Sequence, residues 1–532
     1  MTHRAVAPVA SLITILGAVL CSTSLVVAAV KTVVTPATTA TNDPFAGCTV
    51  GAGTGLSYVR SEVEPFGTVN PSDALNMIAV FQQDRWSNGG AHGLAASVTG
   101  NGGKSWTVVP LPFSTCAADS PTDLQYERAS DPWVSFGPGV PGNPKGATAY
   151  TVSLSFNQSP GKNGNTVGAA VSYDGGANWV HAQSLHGDAA TGVALPVPDD
   201  NFQFFHDKES VTADPKLPGH AYAVWDVLIG PNMSVEADLH AAAFTDFTLF
   251  SKTEDFGQTW SPARVINTSS HPTGQNNQTI GNVIVVDPVS GTLYDFFDQI
   301  FSTGSNAGGN QWTAAQIIAP LLSVGVADPN NVDPRTNKTP APLRTGDIIP
   351  APAIGPMGEL YVVWQDSRFS GRDEIAISRS GDRGATWSTP KRVNTPTGQP
   401  AFAGTVAVSS NGTVGVTYYQ LGSTSPGSMP TSYFIKEFPP SAVTSMAPGS
   451  IESVAATLVA GPFNMLDAPF AAGYFTGDYE ALPTVGSNFV PIFVQGACGT
   501  SLTCRALTSV TPPANRTPTG NDSTDVYVGT GF

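Results

Sequence analysis

Charge is scarce in this chain, and basic charge scarcest. Only 12% of its 532 residues are charged, with 24 Lys and Arg against 40 Asp and Glu. The net charge of −16 argues against nucleic-acid binding, which calls for a broad basic face. It also opposes a simple electrostatic funnel for anionic sugars, unless a local Arg cluster overrides the overall field. Cysteine is rare, five in all, and no His accompanies it at ligand spacing. His-Glu-x-x-His, Gly-x-Ser-x-Gly and a phosphate-cradling loop are absent, so metalloprotease, serine-hydrolase and nucleotide chemistry lack support. Long helical periodicity is missing as well, whereas 55 Gly and 44 Pro punctuate short apolar runs. That balance predicts an all-β chain with many turns.

The one long apolar run is N-terminal. His3-Arg4 precedes an uncharged stretch from Ala5 to Val30 that closes on Val27-Ala28-Ala29. It predicts a secretory signal peptide over 1–29, a flexible lead over 30–54 and a single folded domain over 55–532. An uncleaved anchor is the alternative, and no later segment is apolar enough to span a bilayer. Past the leader, four cysteines suit an oxidising compartment. Cys498 and Cys504 are spaced for a short local loop, which leaves Cys48 for Cys116 by elimination; free thiols are the alternative. The expectation is a secreted, extracellular monomer, with no membrane association once the leader is cleaved.

Four copies of one pattern dominate the rest. They read Thr99-Gly-Asn101-Gly-Gly103-Lys-Ser-Trp106, Ser172-Tyr-Asp174-Gly-Gly176-Ala-Asn-Trp179, Thr253-Glu-Asp255-Phe-Gly257-Gln-Thr-Trp260 and Ser380-Gly-Asp382-Arg-Gly384-Ala-Thr-Trp387. A short acceptor side chain binding nearby N–H groups, Gly at positive φ and an anchoring Trp make each a turn. The pattern resembles the Asp-box, or BNR repeat, of sialidases and other β-propellers that act on or bind glycans. Ser305-Asn-Ala-Gly-Gly309-Asn-Gln-Trp312 resembles a decayed copy but follows its strand so closely that coincidence is the favoured reading.

A second repeat precedes these turns: a polar motif, an apolar strand, a Pro/Gly/Asn turn and a β-branched or aromatic strand. It recurs at 64–81, 127–154, 208–226, 278–297, 347–365, 403–420 and 478–495. Spacings of about 55 to 85 residues suit four-stranded propeller blades. Seven starts predict seven blades, with six as the alternative. The last blade would take its third strand from 524–529 and its fourth from 56–62, leaving no open edge.

Strand starts in a propeller surround one end of its axis, and here they are unusually polar: Glu62 and Glu64; Glu127, Arg128 and Asp131; Asp207, Lys208 and Glu209; Asn276, Asn277 and Gln278; Arg344, Thr345 and Asp347; Asp478, Tyr479 and Glu480. Each alone reads as a solvated loop charge or a strand cap; their recurrence at one phase suggests a shared pocket. Glycoside cleavage needs a proton donor and a second group facing the oxocarbenium-like centre. Asp131, Glu209, Asp347, Asp478, Tyr479 and Glu480 are the candidates, with Arg85, Arg128, Arg344 and Arg368 as substrate contacts. Arg368, in Gln365-Asp366-Ser-Arg368, echoes Gln83-Asp84-Arg85 and reads slightly better as an inter-blade ion pair. No cofactor is expected, although the acidic rim allows a structural Ca²⁺.

Across about 55–495 the chain resembles secreted BNR-repeat proteins of exo-α-sialidase-like type. The segments carrying this are Glu127-Arg-Ala-Ser-Asp131-Pro-Trp133, Asp207-Lys-Glu209-Ser, Arg344-Thr-Gly-Asp347 and Gly477-Asp-Tyr-Glu480. The resemblance implies a glycoside hydrolase that removes terminal sugars from a glycan or glycoconjugate. Sialidases use a Tyr nucleophile, an Asp acid/base and three Arg on the substrate carboxylate. The stretch 78–85 matches a substrate-contacting Arg at Arg85, but the Asp expected within the next few residues and the upstream Phe/Tyr-Arg-Ile-Pro motif are missing. The alternatives are a non-catalytic glycan- or protein-binding propeller and a propeller glycosidase or lyase of other specificity.

Overall fold

The computed structural model describes residues 33–38, 43–143, 145–160, 162, 164–187, 203–230, 245–267, 279–298, 301–447, 449–496 and 524–532. The leader, Cys498 with Cys504, and Asn276 to Gln278 lie outside the described residues. Nearly all the regular structure described is β-strand, paired antiparallel with one exception; the α-helix Pro440–Ser445 has six residues.

Six sheets are four-stranded meanders. The first holds Ser57–Val69, Met77–Trp86, Ala91–Thr99 and Thr107–Pro110; the second holds Arg128–Pro138, Ala147–Phe156, Asn165–Ser172 and Val180–Gly187. One bridge, Ala91 to Ala129, links these two. The next four begin with Gln203–Ala213, Val283–Val286, Ala351–Ile354 and Ala401–Val408. Neighbouring first strands pack in chain order, and Ser57–Val69 also packs against Ile492–Gly496 and Thr524–Thr530. Second strands such as Met77–Trp86, Leu360–Asp366 and Val414–Leu421 bury every residue. Sheets stacked on both faces explain why these strands read as continuous apolar runs rather than alternating ones.

The last sheet differs from expectation. Ile492–Gly496 pairs with Thr524–Thr530, which pairs in turn with Val33–Pro36. Residues 57–62 instead form the start of the first strand of the first sheet, and the segment expected to be a flexible lead supplies the outer strand of the last. Pairing the N-terminal segment with the C-terminal strand covers backbone N–H and C=O groups that would otherwise form an open edge.

The four repeats share one turn between third and fourth strands. The first-position hydroxyl accepts from the backbone N–H of Gly103, Gly176, Gly257 and Gly384 at 3.2, 2.9, 2.9 and 2.8 Å. The third-position side chain accepts from the N–H four residues on, at 2.8 to 3.0 Å. The segment 305–312 also joins the third and fourth strands of its sheet, but by a different turn: Asn306, at the second position, accepts from the Asn310 N–H at 2.9 Å, and the Gly309 N–H donates to the Asn306 carbonyl at 3.0 Å instead of to the Ser305 hydroxyl.

Cys48 and Cys116 form a disulfide across 68 residues of sequence. Closing a loop of that length in the unfolded chain contributes about 4 kcal/mol. A Cys48→Ser/Cys116→Ser double variant should lose stability of that order in denaturant melts; an unchanged midpoint would show the bond to be dispensable. Among the described residues no helix is long and apolar enough to cross a membrane.

Candidate active site

The first strands of three successive sheets break register at one place. Bulges lie between Val63 and Phe66, Ser130 and Trp133, and Asp207 and Ser210. The bulged residues Glu64, Asp131 and Lys208 have φ of 51°, 52° and 51°. A left-handed conformation in a non-glycine residue costs of order 1–3 kcal/mol and persists only where its surroundings hold it, commonly at functional sites. Here all three side chains meet.

Lys208 Nζ lies 2.7 Å from Asp131 Oδ2, 3.2 Å from Asp478 Oδ2 and 3.4 Å from Asp207 Oδ1. The Asp478 backbone N–H donates to Glu64 Oε1 at 3.3 Å, and Gln82 Nε2 donates to Glu64 Oε2. Arg344 arrives from an inserted hairpin, Val326–Asp328 and Ala341–Arg344, whose second strand runs parallel to Tyr474–Phe475. Its Nε and Nη2 fork onto Asp478 at 3.1 and 2.5 Å. Gly346 permits this approach, since a Cβ there would lie 2.0 Å from the Asp478 carbonyl oxygen. Arg344 and Arg85 lie 4.6 and 4.9 Å from the Phe475 ring centroid, a shared cation–π platform.

Beneath the charges Phe66 stacks on Trp133 at 3.5 Å, and Tyr479 meets Trp133 edge-on at 5.1 Å. The same three rings, with Val211, Ile284, Ala351, Thr405 and Leu482 among others, line a cavity of about 250 Å³. Arg344, with 26% of its side chain exposed, is the member of the charged cluster most open to solvent; Lys208, Asp131 and Asp478 stand at 8%, 3% and 4%.

Environment separates the acids. Lys208 holds Asp131 below the ordinary carboxylate range, and Arg344 and Lys208 together hold Asp478 lower still. Burial, with Asp131 and Asp478 nearby, pushes Glu64 well up; burial and Asp131 do the same to Glu209, and burial lifts Asp207 to about 6. Neither Glu209 carboxyl oxygen has a hydrogen-bond partner among the described residues. Ionised and protonated carboxyls side by side are the arrangement from which acid and base roles are drawn.

The structure thus brings together Asp131, Asp478, Arg344 and Arg85, with Glu209 close by. It sends others elsewhere. The Tyr479 hydroxyl is buried and donates to the Pro132 carbonyl at 3.2 Å. Glu480 accepts from Tyr419 at 2.7 Å inside an aromatic core. Asp347 takes Ser323 Oγ at 2.7 Å beside Asp373, and no described contact joins it to Lys208. Arg128 is held by Asn88, Gly89 and Thr54 under Trp86. Arg368 forks onto Asp366 at 2.7 and 2.6 Å, an ion pair as expected but a local one within its own strand end and not between sheets. Among the described residues no group of three or more His, Cys, Asp or Glu is placed to hold a metal ion; between Asp131 and Asp478 the cation is Lys208. The sequence alone does not give Lys208 its central role or Glu64 its part, although both stand at the repeated phase. The available signal is Glu64-Pro-Phe66 beside Asp131-Pro-Trp133, an acid, Pro and aromatic at matching positions.

Buried carboxyls held above their unfolded values set the pH dependence. Besides Glu64 and Glu209, burial raises Glu62, Asp226, Asp295 and Glu480, and carries Asp246 to about 8. The folded state keeps protons that the unfolded chain releases above about pH 4, so stability falls as pH rises from there through each folded value. Asp131 and Asp478 act oppositely only below about pH 4, and buried His186 and His206, held neutral, oppose the trend as pH falls through about 6.5, but the raised carboxyls outnumber them. The melting temperature should be higher at pH 5 than at pH 8; the reverse order in calorimetry would contradict these assignments.

No protein-family model and no curated protein sequence matches the chain. Solved structures with partial similarity include an α-L-arabinofuranosidase from Fusarium graminearum, at 12% identity over 89% of this chain and 96% of that one, TM-score 0.42. The NanB sialidase from Streptococcus pneumoniae gives 9% identity, 88% and 94% coverage and TM-score 0.42. A Hadza microbial sialidase gives 14%, 68% and 64%, with TM-score 0.38. Overlap this loose decides nothing about chemistry, which the charged cluster must supply.

Proposed function

We propose that this chain is a secreted β-propeller glycoside hydrolase whose seven sheets surround an axis and whose repeated turns are Asp-boxes. The cluster around Lys208 is its active site. Asp131 and Asp478, held ionised 2.7 and 3.2 Å from one ammonium, stand beside Glu64 and Glu209, whose carboxyls burial keeps protonated. That meeting of ionised and protonated carboxyls is the observation carrying the proposal.

In this reading an ionised carboxylate, Asp131 or Asp478, attacks the anomeric carbon while protonated Glu64 or Glu209 gives its proton to the departing glycosidic oxygen. Water then releases the sugar, with the same acid acting as base. Arg344 contacts the substrate from the open side, with the buried Arg85 behind it against the same Phe475 ring. An exo-α-sialidase is the finer alternative within this class. The buried Tyr479 hydroxyl, bound to a backbone carbonyl, favours carboxylate chemistry over a Tyr nucleophile.

The test is release of fluorophore from an α-sialoside and from neutral and uronic-acid glycosides, followed by NMR of the first-formed anomer. Turnover with retention supports the proposal; inversion sinks the double displacement, and no turnover by folded protein sinks the hydrolase. The near-complete burial of the carboxyls favours one other reading, a non-catalytic glycan- or protein-binding propeller, to which that last outcome would lead.

A further inference from the structure

At the far end of the second sheet from Asp131 lies an open cleft of about 670 Å³. Its walls include Asn143, Tyr173, His181, Phe256 and Gln258. Asn143 belongs to the connection after the strand Arg128–Pro138, whose end is seven residues beyond Asp131, roughly 20 Å along an extended chain. The cleft is therefore separate from the charged cluster.

Two of its residues hold conformations that their side chains resist. Phe256 has φ of 64° and His181 of 53°. In the repeated turn the Phe256 position is left-handed in every copy, filled by Gly102, Gly175 and Arg383 at 72°, 80° and 58°, so the turn sets the backbone there but asks for no aromatic. The ring at Phe256 is therefore a feature of this cleft and not of the turn. The Tyr173 hydroxyl donates to the Phe256 carbonyl at 2.9 Å, fixing the two aromatic residues relative to one another across neighbouring sheets. Around them stand the amides of Asn143 and Gln258 and an exposed imidazole, with no Lys, Arg, Asp or Glu in the lining although the chain carries a net charge of −16.

We infer that this cleft is a second binding site, for a neutral glycan chain, which would hold a polymer at a distance from the charged pocket. Aromatic rings give a sugar an apolar surface to stack on, and amides meet its hydroxyls without demanding charge. An anionic chain would find no cation there to offset its desolvation.

The test is native electrophoresis of the full chain through gels containing linear arabinan, xylan or hydroxyethyl cellulose. The wild type should be retarded in at least one polymer gel relative to a gel without polymer. Phe256→Gly should lose at least fivefold in apparent affinity for that polymer, since glycine suits the backbone and removes only the ring. His181→Gly, also at a left-handed position, is the second variant should the first fold poorly. Turnover of small fluorogenic glycosides should be unchanged in both. Wild-type mobility indifferent to all three polymers, or retardation undiminished in both variants, would overturn the inference. Because the readout is retention, it stands apart from whether the charged pocket hydrolyses anything.

Discussion

Lys208→Met is expected to destabilise the protein by about 3–5 kcal/mol at pH 7, the cost of leaving buried partners of an ion pair uncompensated. Lys208 is the one ammonium shared by Asp131, Asp207 and Asp478, and its side chain is 8% exposed. Remove it, and Asp131 and Asp478 face each other and Glu64 with only the Arg344 fork on Asp478 as close relief. The two aspartates are held low in the wild type, so their contribution is present above about pH 4 and is lost as pH falls. In the variant that depression is reduced, and the deficit should shrink toward pH 4 as the carboxyls take up protons. Denaturant melts of both proteins at pH 7 and pH 4 measure this. A deficit independent of pH would mean that Lys208 matters through packing rather than charge.

Asp131→Gly is the sharpest test of chemistry. Its φ of 52° suits glycine, so the variant removes the carboxylate while leaving the strand path intact. Glycoside turnover should fall by about 10²–10⁴-fold, the range for losing one positioned catalytic group. If Asp131 is the nucleophile, added azide should restore rate by attacking the anomeric carbon directly, giving a glycosyl azide of inverted configuration as the aglycone leaves with the acid's proton. Asp478→Asn should lose comparable activity, since it also loosens the Arg344 fork. Rescue in an Asp478→Gly variant alone would exchange the two roles. Wild-type rates in both Asp131→Gly and Asp478→Asn would remove the cluster from catalysis.

The four turns and most strand pairs are legible in the sequence because they depend on residues adjacent along the chain. A hydroxyl, a carboxylate or amide and a glycine within five positions specify their own hydrogen bonds, as Ser380, Asp382 and Gly384 do. The pocket phase is legible for the same reason: each bulge is local to its strand. Polar residues recurring at the strand starts therefore mark Asp131, Lys208 and Asp478 as neighbours around one rim. Three things are decided only in space. Arg344 reaches Asp478 across 134 positions because an inserted hairpin aligns Leu343 with Tyr474. Tyr479 and Glu480, which follow Asp478, turn into packed aromatic surroundings because residues 478–480 lie outside any strand and are held by the distant Pro132 carbonyl and Tyr419 hydroxyl. Val33–Pro36 closes the last sheet because backbone groups on an edge accept whatever strand can reach them, a pairing that side-chain pattern barely encodes. Local hydrogen-bonding chemistry writes the turns and the strand starts into the sequence. Which charges meet around Lys208 is settled by the stacking of sheets, through contacts too distant along the chain to leave a pattern.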